Sequence, residues 1–221
     1  MWLPGAGHRN NLNAAYNTGN NQLLPINAYI AAGGQSRRFG EDKARVLYKG
    51  EPLIRRVADN ASAVCRSVCV VADKVDKYKD LNLRTIADNF PGLGPLAGLE
   101  AALTDHCSQA NTASGEWILL LACDLLIVRP SWIEMLFNAA SNPVQIVVFR
   151  NEKRYESLVG LYHVKLLKTV RERLRNNELS LQDLINNCEN SALPLPADWP
   201  VYSQVNTKEE LKKALQQDNP G

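Results

Sequence analysis

The chain has 221 residues, of which 45% are hydrophobic and 22% charged, and this is enough to bury the core of one compact domain. A formal net charge of +2, without any block of five or more consecutive Lys or Arg, excludes the basic surface of a nucleic-acid-binding protein. No apolar run reaches the length of a membrane span, and the N-terminal residues lack the basic-then-apolar pattern of a secretory signal. We therefore expect a cytoplasmic protein that binds neither nucleic acid nor membrane.

The N-terminal segment differs in composition from the rest of the chain. Residues 1–24 are rich in Asn and Gly and carry almost no periodic apolar signal. Such a composition is typical of a disordered leader, because it offers little apolar surface to bury. We predict a leader over residues 1–24 and a single domain over residues 25–221.

Strand and helix patterns alternate along the predicted domain. The first strand is expected at 26–32, and a helix with proline in its first turn at 52–64. Further strands are predicted at 67–72, 84–87, 117–123, 145–149 and 157–163, and further helices at 96–104, 130–140, 165–175, 180–186 and 207–216. The alternation predicts a doubly wound, three-layer α/β/α fold with a mostly parallel (mixed) sheet. Ligands of such sheets bind beyond the carboxyl ends of the strands, so the loops at that edge are the candidate sites.

The loop after the first strand, in the stretch AYIAAGGQSRRFGEDKA, combines glycines with cations. Gly33 and Gly34 let backbone amides approach a ligand closely, and Arg37, Arg38 and Lys43 bring positive charge to the same place. The loop is neither a GxGxxG dinucleotide fingerprint nor a GK[ST] P-loop. A tight turn with solvated arginines is the alternative, but three cations at one strand end favour a polyphosphate site.

Two aspartates follow predicted strands, Asp88 after RTIA and Asp124 after WILLLAC. A carboxylate at the end of a buried strand is costly unless it is paired, hydrogen-bonded or bound to a metal. Asp124 suits Mg²⁺, which takes few protein carboxylates and completes its shell with water and phosphate oxygens. The alternatives are a cap for the helix after Pro130 in the case of Asp124, and a turn residue of DNFPG in the case of Asp88.

The segment GLGPLAGLEAAL lies between these two aspartates. Gly94 and Pro95 predict a turn, and the small residues Ala97 and Gly98 then allow another group to approach the helix start closely. The alternative is ordinary packing of the helix on the sheet at Gly98.

The histidines and cysteines do not form a recognisable catalytic or metal-binding pattern. His106 and His163 have no acid or thiol at a suggestive spacing, so we interpret both as structural. An odd number of cysteines without a CxxC pair argues against zinc and favours thiols that are mostly buried and free: Cys65, Cys69, Cys107, Cys123 and Cys188.

Taken in order and spacing, AGGQSRRFGEDKA, DNFPGLGPLAG and LLLACD resemble the molybdenum cofactor guanylyltransferases of the nucleotidyltransferase superfamily. That family shows LAGGxSxRxGxDK, then GPLAG, then a (P)CD pair that ends a strand. The resemblance covers residues 26 to about 216 and implies a Rossmann-like nucleotidyltransferase fold. The first motif alone also fits cytidylyl and sugar-phosphate relatives, which usually have Pro-Lys in place of Asp42-Lys43.

The resemblance assigns roles by matching position. It implies that nucleotide is bound by the following residues: Ala31, Ala32, Gly33, Gly34, Lys43, Asp73, Asp88 and Asp124. It implies catalytic roles for Lys43, Asp124 and Arg38, with Mg²⁺ on Asp124. Asp73 and Asp88 are expected on the guanosine side.

The implied reaction transfers GMP from Mg-GTP to the terminal phosphate of molybdopterin, with release of pyrophosphate. The nucleophile is already an anion, so a general base is not required. GTP and molybdopterin are then the substrates, and proteins that deliver molybdopterin or mature molybdoenzymes are expected partners. The open alternatives are a related enzyme that uses CTP or another phosphorylated acceptor, and a non-catalytic GTP-binding cofactor chaperone.

The chain departs from the family pattern in a few places. Ala31 and Ala122 replace the usual Leu and Pro, which leaves backbone contacts intact. VYSQVNTKEEL resembles the family segment FxNxNTPEEL on the acceptor side, with Gln204 in place of Asn. Tyr155-Glu156 stands where the family tends to have His-Pro or Gln-Pro.

Overall fold

The computed structural model describes residues 23–33, 42–109, 115–200, 203–205 and 207–217. The strands are β1 (Leu24–Ala31), β2 (Leu47–Tyr48), β3 (Glu51–Pro52), β4 (Cys65–Ala72), β5 (Thr85–Ala87), β6 (Trp117–Ala122), β7 (Ile146–Arg150), β8 (Tyr155–His163) and β9 (Asn190–Pro194). The helices are α1 (Leu53–Ser62), α2 (Pro95–Ser108), α3 (Pro130–Asn138), α4 (Leu167–Arg175), α5 (Leu181–Asn186) and α6 (Lys208–Gln217).

The main sheet has seven strands in the order β5-β4-β1-β6-β8-β7-β9. β8 runs antiparallel to its neighbours β6 and β7, and the other pairs in the sheet are parallel. The chain passes outwards from β1 through β4 to β5 and then returns to β6 on the other side of β1. Strand order therefore reverses between β1 and β6, at the kind of position where doubly wound sheets bind ligands. The predicted fold class is confirmed.

Helices cover both faces of this sheet, and β6 shows the pattern most clearly. Trp117, Leu119 and Leu121 pack into the core formed with α1 and α3. Ile118 and Leu120 point to the opposite face, into the core formed with α2, α4 and α5. Because both faces are buried, β6 has an unbroken apolar sequence. A strand with one solvent-exposed face would instead alternate apolar and polar residues.

A smaller apolar cluster, which we call the third cluster, lies beside the main sheet. Its buried members are Tyr48, Leu53, Leu126, Val205 and Ala214. These residues come from the β2–β3 hairpin, the start of α1, the loop after β6, the segment before α6, and α6 itself. The third cluster thus packs the chain that follows β1 and β6 against the C-terminal part of the molecule.

The structure differs from the sequence-based expectations at several element boundaries. β9 was not predicted; it is an edge strand whose side chains are half-buried or exposed, so it lacks an apolar run. The short β2–β3 hairpin was also not predicted. Leu24, placed in the leader by composition, is a buried residue of β1. Pro52 precedes α1 and does not lie in its first turn.

One charged residue, Glu100 of α2, is almost fully buried, with 1% of its surface exposed. Its carboxylate accepts hydrogen bonds from Asn89 Nδ2, Thr104 Oγ1 and Arg171 Nε, each at 2.8 Å. Burial opposes ionisation, but these hydrogen bonds outweigh it and hold the pKa of Glu100 below its usual range. Glu100 therefore ties the loop after β5 to both α2 and α4.

We expect Arg171→Met to lower the free energy of unfolding by about 2 to 3 kcal/mol, because a buried carboxylate loses its charged partner. Urea denaturation at neutral pH measures this change. Lys168→Met on the same helix is the matched control. Its exposed pair with Glu172, at 3.9 Å, should contribute less than about 0.5 kcal/mol. Equal losses in the two variants would contradict a structural role for the buried pair.

Candidate active site

Lys43 and Asp124 lie side by side at the switch point of the sheet. Lys43 Nζ donates a hydrogen bond to Asp124 Oδ2. The two side chains retain only 14% and 15% of their exposure. Lys43 comes from the segment that follows β1, and Asp124 lies two residues after β6. The fold thus brings together a cation and a carboxylate that are far apart in sequence.

Backbone contacts on two sides hold Asp124 in place. The amide of Cys123 donates to the carbonyl of Ala31 at 3.2 Å, which extends the pairing of β1 and β6 by one residue. The amide of Val205 donates to the Asp124 carbonyl at 3.3 Å, and Leu125 forms a bridge with Gln204. The segment before α6 therefore lies directly against the end of β6.

The second oxygen of Asp124, Oδ1, is buried and has no hydrogen-bond partner among the described residues. The alternative role as a helix cap is not observed, because Arg129 occupies the N-cap of α3 and its side chain makes no capping bond. A buried carboxylate oxygen without a partner is costly. This orientation is suited to a ligand that supplies positive charge.

The described residues contain no group of three or more His, Cys, Asp or Glu that could hold a metal ion by themselves. This does not conflict with a Mg²⁺ site at Asp124. Mg²⁺ is usually held by one or two carboxylates together with water and substrate phosphates. The unpartnered oxygen of Asp124 fits that donor set.

A short 3₁₀ turn, Lys43–Arg45, presents the lysine. Asp42 stands at the N-cap of this turn and accepts a hydrogen bond from the Ala44 amide at 3.2 Å. Ala44 is buried in the core formed with α1 and α3, and this burial anchors the turn. This local geometry explains why Asp precedes Lys in the motif, because Asp is a favoured capping residue.

The end of β1 approaches Asp88 closely. The Ala32 amide donates to the Val71 carbonyl at 2.8 Å, so this N–H is committed to the sheet. A Cβ atom placed on Gly33 would lie 3.7 Å from Asp88 Oδ2. Gly33 and Asp88 thus face each other across the ends of β1 and β5.

The two carboxylate oxygens of Asp88 have different surroundings. Its Oδ1 accepts a hydrogen bond from the Phe90 amide at 2.8 Å, as the turn interpretation of DNFPG requires. Its Oδ2 lies towards Gly33. Burial raises the pKa of Asp88 above its usual range, the Phe90 hydrogen bond opposes this, and the nearby charge of Glu100 adds to the rise. The turn interpretation is therefore observed through Oδ1, and a role of Asp88 in the site stays a prediction.

Two glycines, Gly94 before α2 and Gly98 within it, have different structural roles. Gly94 has a φ of +80°, a conformation that favours glycine, and Pro95 is the first residue of α2. A Cβ on Gly98 would lie 3.7 Å from the Cβ of Ala31. Gly98 therefore serves close packing of the helix on β1, the alternative considered for this motif.

Asp73, which directly follows β4, is exposed, with 59% of its side chain accessible. A hydrogen bond from Lys77, at 2.7 Å, lowers its pKa. Lys77 also lies 3.5 Å from Asp42. Asp73 is therefore linked to the turn that carries Lys43, and not directly to the Lys43–Asp124 pair.

The remaining candidates fall into two groups. Gly34, Arg37 and Arg38 lie outside the described residues. His106 is held by the Asn27 side chain and the Gly115 carbonyl, and His163 accepts a hydrogen bond from the Lys165 amide. Both histidines therefore have structural partners, as expected. All five cysteines are free, and two of them, at positions 65 and 69, are fully buried.

Two features of the site were not identified from the sequence. The first is the hydroxyl of Tyr78, which donates to the carboxylate of Asp42. No local pattern signals this long-range contact. The second is the direct contact of Ser203 and Val205 with the loop that carries Asp124. Only the resemblance of this segment to a family motif indicated that it belongs near the site.

Within the described ranges, no helix is both long enough and apolar enough to cross a membrane.

Comparison with known proteins identifies the family. The model of the MobA-like NTP transferase domain matches residues 28–192. A protein of Aquifex aeolicus named "Probable molybdenum cofactor guanylyltransferase" is 30% identical, over 86% of this chain and 90% of its own length. A protein of the same name from Opitutus terrae is 34% identical, over 71% of this chain and 75% of its own.

A solved structure supports the fold independently. The molybdopterin-guanine dinucleotide biosynthesis protein A of Archaeoglobus fulgidus superposes with a TM-score of 0.73, covering 87% of this chain and 98% of the other. At 19% identity, this likeness concerns the fold alone. The family match and the sequence relatives lead to one conclusion: the chain belongs to the molybdenum cofactor guanylyltransferases, a family of nucleotidyltransferase enzymes.

Proposed function

We propose that this protein transfers GMP from GTP to the terminal phosphate of molybdopterin. An oxygen of that phosphate attacks the α-phosphorus of GTP, the bond between the α-phosphorus and the bridging oxygen breaks, and pyrophosphate leaves. The observation that carries the proposal is the Lys43–Asp124 pair at the switch point, where one Asp124 oxygen is buried and has no partner in the part of the chain that the structure describes. The names of the relatives support guanosine as the nucleoside and the molybdenum cofactor as the acceptor.

The main obstacle to this reaction is repulsion between two polyanions, because both substrates carry phosphate. The acceptor phosphate is itself the nucleophile and is ionised at neutral pH, so no residue has to remove a proton. Lys43 lowers the repulsion by placing a positive charge at the phosphates. Its limited exposure strengthens this effect, because less solvent screens the charge.

Asp124 would hold Mg²⁺ through Oδ1, and the ion would neutralise charge on the phosphate oxygens and on the departing pyrophosphate. Oδ2 meanwhile keeps its contact with Lys43 and so orients the carboxylate. Gly33 lines the same edge of the sheet without a side chain that would obstruct the nucleotide. Arg38, which lies outside the described residues, is proposed to add a further cation.

Asp88 is the residue proposed to recognise the base. Guanine presents N–H donors on its pairing edge, and a carboxylate oxygen accepts such donors. The turn hydrogen bond fixes Asp88 through Oδ1 and leaves Oδ2 directed towards Gly33. We place the acceptor on the opposite side of Asp124, where Ser203, Gln204 and Val205 pack against the loop after β6.

Replacing Asp124 with Asn should reduce GMP transfer at least about 100-fold, since the charge that holds Mg²⁺ and orients Lys43 is lost while the shape is kept. The measurement is transfer of label from α-labelled GTP to molybdopterin, with thermal unfolding to confirm that the variant is folded. Asp59→Asn is the control, because it removes an exposed carboxylate that pairs with Arg55 on α1. Near-normal turnover by the Asp124 variant would refute the role of this residue.

GTP with Mg²⁺ should stabilise the protein more than CTP or ATP does. A ligand present at 100 times its Kd raises the free energy of unfolding by about 2.7 kcal/mol, which a thermal shift resolves. A preference for CTP would instead favour a related enzyme with another nucleotide. Stabilisation by GTP without pyrophosphate release in the presence of molybdopterin would favour a non-catalytic chaperone.

Asp88→Asn should weaken GTP binding yet make the ligand-free protein more stable at pH 7. The native pKa of Asp88 is raised, so its ionised form destabilises the fold as pH rises through that pKa. The gain from the substitution should therefore shrink as pH falls towards the ordinary Asp pKa of about 3.9. Urea denaturation across this range checks the trend.

Asp73→Asn is the control, because its expected effect on stability is opposite to that of Asp88→Asn. The pKa of Asp73 is lowered by Lys77, so its contribution to stability is present above the ordinary Asp pKa and is lost as pH falls through the native pKa. We expect this variant to be slightly less stable at pH 7, by less than about 1 kcal/mol for an exposed pair. Stabilisation by Asp73→Asn, or destabilisation by Asp88→Asn, would contradict the assignment.

A further inference from the structure

The turn that carries Lys43 is held from the side by a buried tyrosine. Tyr78 lies in the loop between β4 and β5 and has 0% of its surface exposed. Its hydroxyl donates to Asp42, with Tyr78 Oη at 3.0 Å from Oδ2 and 3.2 Å from Oδ1. We propose that Tyr78 is a positioning residue for the nucleotidyl transfer proposed above: it fixes Asp42, and Asp42 fixes the turn that directs Lys43 to Asp124.

Asp42 connects Tyr78 to the turn that carries Lys43. The Asp42 carboxylate that receives the Tyr78 hydroxyl also caps the 3₁₀ turn through the Ala44 amide. Lys43 lies between Asp42 and Ala44 in the sequence. The backbone on both sides of Lys43 therefore depends on the orientation of the Asp42 carboxylate. A misplacement of about 1 Å at a catalytic group can reduce the rate by about 100-fold.

Asp42 has competing partners that make this orientation sensitive. Lys77 Nζ lies 3.5 Å from its Oδ2, and Arg45 Nε lies 3.9 Å from the same atom. Without the hydroxyl, the carboxylate can turn towards these cations and leave the Ala44 amide. The hydroxyl remains a donor at physiological pH, because burial and the charge of Asp42 both raise the pKa of Tyr78.

The ring of Tyr78 is held independently of its hydroxyl. The Arg45 guanidinium lies 5.2 Å from the ring centroid, and Lys77 Nζ lies 5.5 Å from it. Arg45 is itself fixed by Asp80 at 2.7 Å and by the Lys77 carbonyl at 2.9 Å. Tyr78→Phe therefore keeps the packing and the cation contacts and removes only the bond to Asp42.

The chain offers a matched control in Tyr29 of β1. This tyrosine is also buried, and its hydroxyl donates to a carboxylate, Asp105 Oδ2, at 2.8 Å. Asp105 lies in the last turn of α2, and neither it nor Tyr29 belongs to the candidate site. Tyr29→Phe and Tyr78→Phe thus remove the same kind of hydrogen bond from two places.

Steady-state kinetics of both variants provide the first test. Tyr78→Phe should lower kcat for GMP transfer at least about tenfold, with KM for GTP changed much less, whereas Tyr29→Phe should retain kcat within about twofold. In a Lys43→Met background, measured in single turnovers, Tyr78→Phe should have no further effect. Equal losses in the two tyrosine variants, or an undiminished loss without Lys43, would overturn the proposal.

Chemical labelling of Lys43 provides a test that does not require the reaction. Acetic anhydride acylates unprotonated amines, at a rate that rises with their accessibility and with the unprotonated fraction. Mass spectrometry reports the rate at Lys43, with exposed Lys168 as internal reference. We expect labelling of Lys43 to rise several-fold in Tyr78→Phe and to stay unchanged in Tyr29→Phe. An unchanged rate in Tyr78→Phe would overturn the positioning role. A raised rate together with a wild-type protein that transfers no GMP would support positioning and refute the proposed reaction.

Discussion

The two-sided burial of β1 and β6 is the constraint on which the site depends. Helices cover both faces of these central strands, so neither strand can carry a charged side chain until it ends. Neighbouring parallel strands end at the same edge of a sheet, and the order of strands reverses between these two. Asp124 follows β6 at this edge, and Lys43, from the segment after β1, contacts it there.

Carboxylates with little solvent exposure in the described residues differ in how well they are hydrogen-bonded. Glu100 is surrounded by three donors and stabilises the junction of α2, α4 and the loop after β5. Asp124 keeps one oxygen that has no partner among the described residues, and burial disfavours the ionised form of Asp88. Such under-satisfied groups reduce stability, and they cluster where a ligand would satisfy them. The contrast separates a residue that holds the fold from those that are proposed to face the substrate.

The sequence was most informative where burial and local geometry decide the structure. The apolar run of β6 was recognisable, and the start of α2 was predicted at Leu96, one residue after its position in the structure, because two-sided burial and helix initiation select few residue types. β9 was missed because an edge strand buries little and needs no apolar run. The pairing of Lys43 with Asp124 and the bond from Tyr78 to Asp42 join distant segments, so no spacing along the chain could predict them.

The third cluster has a consequence for the order in which the molecule is completed during synthesis. β1, β4, β5 and β6 all leave the ribosome before residue 205, and their pairing requires nothing that follows β6. The residues that pack against the loop after β6, Val205 and, in α6, Ala214, are synthesised later. A nascent chain can therefore complete the centre of its sheet before the residues that pack beside the loop of Asp124 have been synthesised.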